Sequence, residues 1–462
     1  MSPPSAQEAA NKLFTNSTIL APMVRASTTP LRTLAISYGA SLVYTEELVD
    51  RSIMDTERVI NEELGTIDYI KPLSSFPGKV QKRMLADSDN PDCAKGAILL
   101  RIDPTLERNK LIYQIGTGEA GLAIKAAERV VGDVSGIDVN MGCPKKFSVS
   151  GGMGSALLSD PKRACDIIST LSRNISKPVS AKIRLLHPTD PQPTLDFVRS
   201  LINAGANAIT IHGRIVEDES QTDARWETLV EVVKSLKHSE SVPIIINGDL
   251  YTHADIREMR KRSGCDGVML ARPALYNMSL FKEETTYDDT CQTTTEATTA
   301  EELPLSEFQT TNHHGHYGYN SPLLSPRTSI IQEYVSYCVR YRNHSKNAKY
   351  VVCEMLSARR APLSRVPFLN MSLEGGQTVN EVCQCRSLSD LVKIWDVKNT
   401  LPLPSAQNNA TEDVGGMGDL HNYSDDYFLK PDLFDKKAAA KDETGEEKKT
   451  DEETPGAKRQ KI

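Results

Sequence analysis

Four polar side chains whose types suit one ligand stand near the ends of four short apolar runs. They are Gln114 in "LIYQIGTG", Asn140 in "GIDVNMGCP", Lys182 in "VSAKIRLL" and His212 in "AITIHGR". Two amides, an ammonium and an imidazole can line the edge of a flat, carbonyl-rich heterocycle. Aimed at the pyrimidine side of a flavin, such donors stabilise the negative charge of its reduced form. Two further runs end in Asn247-Gly248-Asp249 and Ala271-Arg272. There a glycine permits close backbone approach, and a guanidinium offers a fork of donors to phosphate oxygens. The ligand these residues suit is FMN rather than FAD, with a nicotinamide arriving transiently. Singly, each residue has a plainer reading. Asn-Gly is a common turn, a lysine can pair with a core carboxylate, and a histidine can satisfy a backbone carbonyl. Their shared placement is what points to a site. "IDVNMGCP" adds a puzzle in Cys143, wedged between Gly142 and Pro144 at the lip of a strand, where a buried cysteine is often inert.

The elements that must bring these residues together are eight β-branched-rich runs: 17–24, 42–49, 111–118, 136–144, 179–186, 208–214, 243–250 and 267–275. Between most of them lie segments with apolar residues at helical spacing, such as "DPKRACDIISTLSRNI" and "WETLVEVVKSLKHS". In "TTPLRTLAISYGA", Thr29 is placed to cap a helix with Pro30 at its first position. Eight buried strands alternating with helices predict a (β/α)8 TIM barrel over residues 1–280. A doubly wound sheet is the rival, but it usually has fewer strands and a Gly-rich first turn, which "APMVRAS" is not. In a barrel the C-terminal strand ends converge on one mouth. The turns after the seventh and eighth strands form the usual phosphate corner. The stretch 50–110 reads as an insertion after the second strand.

The rest of the 462 residues divides by charge. Residues 1–280 carry 33 basic and 33 acidic side chains; 281–324 carry one and eight, 325–400 eleven and six, and 401–462 nine and fourteen. The expected order is therefore a balanced barrel, an acidic and disordered insertion (281–324), a smaller basic helical domain (325–400) and a low-complexity, disordered C-terminal tail (401–462). In "TSIIQEYVSYCVRYRN", Ile331, Val335, Cys338 and Val339 share a face, and "LSDLVKIWDV" reads as another short helix. The basic domain is a candidate polyanion surface, or else a helical domain with a basic solvent face. Nine scattered cysteines without a C-x-x-C pair favour a reducing compartment, no disulfide framework and no metal. The N-terminus has no secretory pattern and no run is long enough to span a bilayer. A chain acting in the cytoplasm, the nucleus or both, without a membrane, is the expectation.

"LAPM", "YQIGTG", "DVNMGCP", "AKIR", "IHGR", "NGD" and "LARPAL" resemble, in order and spacing, the tRNA-dihydrouridine synthases. "GCPKKFSVSGGMGSALL" and "TEELVD" look most like the eukaryotic branch that reduces the uridine at position 20, in its fungal form without an appended double-stranded RNA-binding domain. The resemblance covers about 17–280 as the barrel and, more loosely, 325–400 as the family's helical RNA-binding domain. It implies FMN contacts from Pro22 and Met23 on the ring and from Gln114, Asn140, Lys182 and His212. Asn247, Gly248, Asp249, Ala271 and Arg272 would hold the ribityl phosphate side. It implies NADPH as reductant, tRNA as substrate and a monomer.

Cys143 matches the family's catalytic acid, which gives the puzzle a chemical answer. Reducing the uracil 5,6 double bond needs a hydride at C6 and a proton at C5. A thiol of ordinary pKa, about 8.5, is still protonated at neutral pH and can give up its proton at modest cost. Gly142 and Pro144 are expected to fix its loop. Phosphate contacts are expected from Arg340, Arg342, Lys346, Lys349, Arg359 and Arg360, with Lys145 and Lys146 on the rim. Two rivals stay open: an FMN barrel acting on a small metabolite, as dihydroorotate dehydrogenases do, and a non-catalytic RNA-binding protein with a vestigial barrel.

Overall fold

A computed structural model describes residues 4–86, 91–282, 327–357 and 377–397. Expectations resting on 283–326, 358–376 and 398–462, among them the acidic insertion, Arg359, Arg360 and the charged tail, lie outside the described residues.

Eight parallel strands close into a barrel in sequence order: β1 (Ser17–Leu20), β2 (Leu42–Val49), β3 (Leu111–Gly116), β4 (Gly136–Asn140), β5 (Val179–Arg184), β6 (Ala208–His212), β7 (Ile244–Asn247) and β8 (Gly267–Leu270). The (β/α)8 expectation holds, and each strand falls within its predicted run. Most runs continue past the strand because their last residues form the loops of the mouth.

Register explains which residues face inward. Ile19, Ala21, Leu42, Tyr44, Ile112, Ala208, Ile245 and Met269 pack together inside the barrel, with Ala10 and Phe14 of helix Ala6–Phe14 in the same cluster. Their alternates, among them Leu20, Val43, Tyr113, Val139 and Ile183, pack outward with the helices. Helix Thr29–Ser37 begins one residue earlier than the sequence suggests. Thr28 is its N-cap, and the Thr29 hydroxyl instead donates to the Arg101 carbonyl at 2.7 Å.

The insertion after β2 holds a short helix (Asp50–Met54), a three-stranded antiparallel sheet (Glu57–Asn61, Thr66–Pro72, Gly96–Ile102) and, between the last two strands, helix Gly78–Ala86. Beyond the barrel come helices Arg327–Arg340, Ser345–Ser357, Val379–Gln384 and Leu388–Ile394. Their buried residues, including Ile331, Tyr334, Val335, Cys338, Val352, Leu391 and Trp395, belong to the same apolar cluster as the outer barrel. A polar seam borders this contact. Arg101 of the insertion sheet binds Asp68 and Asp92 at 2.7 and 3.0 Å and also donates to the Tyr341 carbonyl. The Tyr341 hydroxyl donates to Asp103 at 2.6 Å. Arg340 lies 3.7 Å from Asp103, and Arg342 reaches Asp92 at 3.4 Å and Glu63. Arg340 and Arg342 thus engage the insertion's carboxylates, a different use from the phosphate contacts expected of them. Lys349 donates to the carbonyls of Cys383 and Cys385 at the end of helix Val379–Gln384, where a cation suits the helix dipole. Lys346 is exposed. Among the described residues no helix is long and apolar enough to cross a membrane.

Candidate active site

The strand pairings put the candidate residues on one inward face. Gln114 is level with Asp138, Asn140 with Lys182, Lys182 with Thr210, and His212 with both Arg184 and Asn247. In parallel sheets, residues paired this way project to the same side. Asp138 is fully buried beneath them. It accepts from Gln114 Nε2 at 2.8 Å and from Ser180 Oγ at 2.7 Å. The bond turns Gln114 Oε1 toward Asn140 Nδ2, 3.4 Å away. Asp138 escaped the sequence reading because its place inside a buried strand looks like core.

The Cys143 loop is held from several directions. Asn140 Oδ1 accepts from the Gly142 and Cys143 amides at 2.9 and 3.0 Å, and Arg184 Nε donates to the Gly142 carbonyl at 2.8 Å. The Cys143 carbonyl accepts from the Ser155 amide at 2.9 Å. Gly154, at φ +59, presses against that carbonyl where a Cβ would come within 2.6 Å. Hydrogen bonds to Asn140 and from Arg184 therefore hold the loop. Lys145 and Lys146 stand exposed on the rim beside it.

Across the mouth, the β1 loop is fixed by Ser27, whose hydroxyl donates to the Ala21 carbonyl at 2.8 Å and accepts from the Met23 amide at 3.0 Å. Pro22 and Met23 are left half-buried. At the β7–β8 corner, Asn247 Nδ2 donates to the Met269 carbonyl at 2.8 Å. Gly248 sits at φ +133, where a Cβ would meet Ala224 Cβ at 2.9 Å. Asp249 turns its carboxylate to two arginines and the Ala224 amide. It accepts two bonds from Arg214 at 2.7 and 2.8 Å and one from Arg272 at 3.2 Å. Arg272 also donates to the Ser220 carbonyl at 2.7 Å and remains half-buried beside Ala271.

Electrostatics follow from this crowding. Burial and the neighbouring Arg184 push the Lys182 ammonium down to about 8, while Asp138 pulls the other way. Burial, then Lys182, Arg184 and further arginines, hold His212 well below the usual histidine range, so it is neutral at physiological pH. Burial, and then the Glu47 carboxylate, push the Cys143 thiol up to about 11. Burial pushes Asp138 up to about 6.

Fold and site together define a (β/α)8-barrel protein with a thiol set among amide and cationic donors and an arginine-lined corner opposite. The family model described as dihydrouridine synthase (Dus) matches residues 93–350, more than half of the chain. The chain belongs to that family. It is 37% identical over 278 residues to the Schizosaccharomyces pombe protein named tRNA-dihydrouridine(20) synthase, NAD(P)+, spanning 59% of this chain and 53% of that one. It is 33% identical over 332 residues to the Saccharomyces cerevisiae protein of the same name, spanning 69% of this chain and 80% of the other. A mouse protein named tRNA-dihydrouridine(20a/20b) synthase-like is 28% identical, spanning 57% of this chain and 68% of that one. The matched region is thus about half the length of the first of these relatives and most of the second.

Proposed function

We propose that this chain is an FMN-dependent tRNA-dihydrouridine synthase that reduces the 5,6 double bond of a tRNA uridine, at position 20, with NADPH as reductant. The observation that carries the reading is the pinned Cys143 loop, which sets a protonated thiol at the mouth beside Asn140 and Lys182.

The residues fit the flavin. Lys182 Nζ makes no hydrogen bond to any described residue, although the side chain lies among Asp138, Arg184 and Cys143. Such a group is suited to a carbonyl- or nitrogen-bearing ring edge. Gly248 leaves a backbone cradle that any Cβ would fill, and Arg272, aligned by Asp249, offers donors to a phosphate. Gln114 and Asn140, the first held by Asp138, would offer amides to the pyrimidine edge, Pro22 and Met23 would lie against the ring, and Asn247 and Ala271 would complete the phosphate side. A flavin held there would supply hydride chemistry for C6, with the nicotinamide as its source of electrons. Cys143 gives its proton to C5, so uridine gains one hydride and one proton overall and a thiolate is left to be re-protonated. Neutral His212 donates or accepts a hydrogen bond without adding charge.

Uridine must leave its stack to reach such a mouth, and Lys145, Lys146 and Lys346 suit the phosphates of an extended RNA. The names of the two fungal relatives support position 20.

The test incubates the protein and Cys143→Ala with NADPH and unmodified tRNA, then measures dihydrouridine by nucleoside mass spectrometry. Product from the wild type, with at least a hundredfold loss in the variant at equal FMN content, is expected from general-acid catalysis worth roughly 10²–10⁴-fold. A flavin-loaded wild type that makes no product on any tRNA would turn the reading to a small-metabolite reductase.

A further inference from the structure

β2 enters the barrel with Leu42 and Tyr44 in the interior cluster. Regular two-residue alternation would next turn Glu46 inward and Glu47 outward. The register departs from that. Tyr44 is level with Ile112, but Glu47 is level with Gln114, so β2 advances three residues where β3 advances two. The extra residue is a bulge, and it moves Glu47 to the inward face beside Gln114. The carboxylate lies over Gly116, where a Cβ would come within 2.7 Å of Oε1. Ser148 Oγ donates to the same oxygen at 3.2 Å. Ser148 Oγ and Cys143 Cβ flank one point, 2.5 and 3.1 Å from where a Cβ on Gly154 would stand, so Ser148 links the carboxylate to the cysteine, and the Glu47 charge acts on the thiol.

The groups facing the Cys143 sulfur come from several elements. They are Glu47 on β2, the Lys145 amide, Ser148 on the helix Lys146–Ser150, and Lys182 and Arg184 on β5. The two cations draw the sulfur toward thiolate, and a thiolate has no proton to deliver. Glu47 is the carboxylate that opposes them.

We propose that Glu47 is a positioning residue for Cys143: its carboxylate accepts the thiol hydrogen, offsets the pull of Lys182 and Arg184, and keeps the sulfur in its acid form at the mouth. This rests on the assignment of Cys143 as proton donor. In this role no covalent bond changes; the thiol hydrogen turns from carboxylate to substrate carbon by rotation about Cβ–Sγ.

The test reads the thiol itself. Full-length wild type, Glu47→Gln and Glu47→Asp are alkylated with iodoacetamide in brief pulses from about pH 6 to about pH 12.5, and the Cys143 peptide is followed by mass spectrometry. Because the thiolate is the reactive form, Glu47→Gln is expected to move the midpoint down by about one pH unit, roughly tenfold faster alkylation at pH ~8, with the alkaline plateau unchanged. Glu47→Asp, whose charge is drawn back by one methylene, is expected to move it less and in the same direction. An unmoved midpoint in Glu47→Gln overturns the proposal, as does a raised plateau alone, which would report exposure rather than charge. If Glu47→Gln does not fold, Glu47→Asp decides on the same criterion. The readout needs no tRNA, so it separates the two readings. A shifted midpoint in a protein that makes no dihydrouridine keeps the Glu47 contact and removes the reaction, while normal product with an unmoved midpoint does the reverse.

Discussion

In the proposed reaction, the shifts at Cys143 and Lys182 complement one another. Burial and Glu47 hold the thiol protonated, while burial and Arg184 bring the ammonium close to losing its proton. The sign for Lys182 is plain. Below pH about 8 the ammonium is charged and would favour the reduced, anionic edge of a bound flavin; as pH rises through that value the charge and that contribution are lost. We expect the reduction potential of the bound flavin to show an inflection near pH 8 that Lys182→Met abolishes, as measured by spectroelectrochemical titration. Asp138 acts one layer below. Replacing it with Asn substitutes an amide for the carboxylate that accepts from both Gln114 and Ser180. One of those bonds loses its acceptor or weakens, costing about 1–3 kcal/mol, and Gln114 is free to turn. A lower thermal midpoint together with weaker flavin retention is the expected result for Asp138→Asn; an unchanged melt would remove Asp138 from this role.

At the scale of elements, the two βα corners differ in how the backbone makes room. The β7 corner depends on Gly248, because its φ of +133 is strained for any L side chain and its Cβ position is already occupied by Ala224. Gly248→Ala should lower stability by about 1–3 kcal/mol, as other core overpacking does, and reduce flavin affinity in equilibrium dialysis at least tenfold. The β4 corner depends on backbone amides bonded to the Asn140 side chain and on a bond donated by Arg184. The sequence marked Asn140 from its run-end position, but it did not reveal that Asn140 braces the cysteine loop. Glu47 was passed over for a related reason. "TEELV" contains adjacent glutamates, and nothing local in such a strand states where its alternation slips. Only the pairing of β2 with β3 tells Glu46 from Glu47.

For the whole molecule, the helices after the barrel are docked by apolar packing bordered with a charged seam around Arg101. Arg101→Ala would leave Asp68 and Asp92 buried without that partner, a loss of about 3–5 kcal/mol by analogy with other broken buried pairs. We expect faster limited proteolysis and weaker, less salt-sensitive tRNA binding in a protein that still holds its flavin; unchanged proteolysis would show that apolar packing alone secures the helices.

The barrel was legible in the sequence because eight buried strands and their intervening helices write their periods locally, and because chemistry at strand ends shares one face once the barrel closes. The inward set from Gln114 to Arg272 follows from those two facts. Tertiary structure alone decided that Arg340 and Arg342 reach carboxylates of the insertion, that Asp249 works through two arginines, and that a bulge brings Glu47 to the thiol. An ion pair is a choice among partners distant in sequence, and a bulge is a property of two strands together; neither is encoded in the period of one segment.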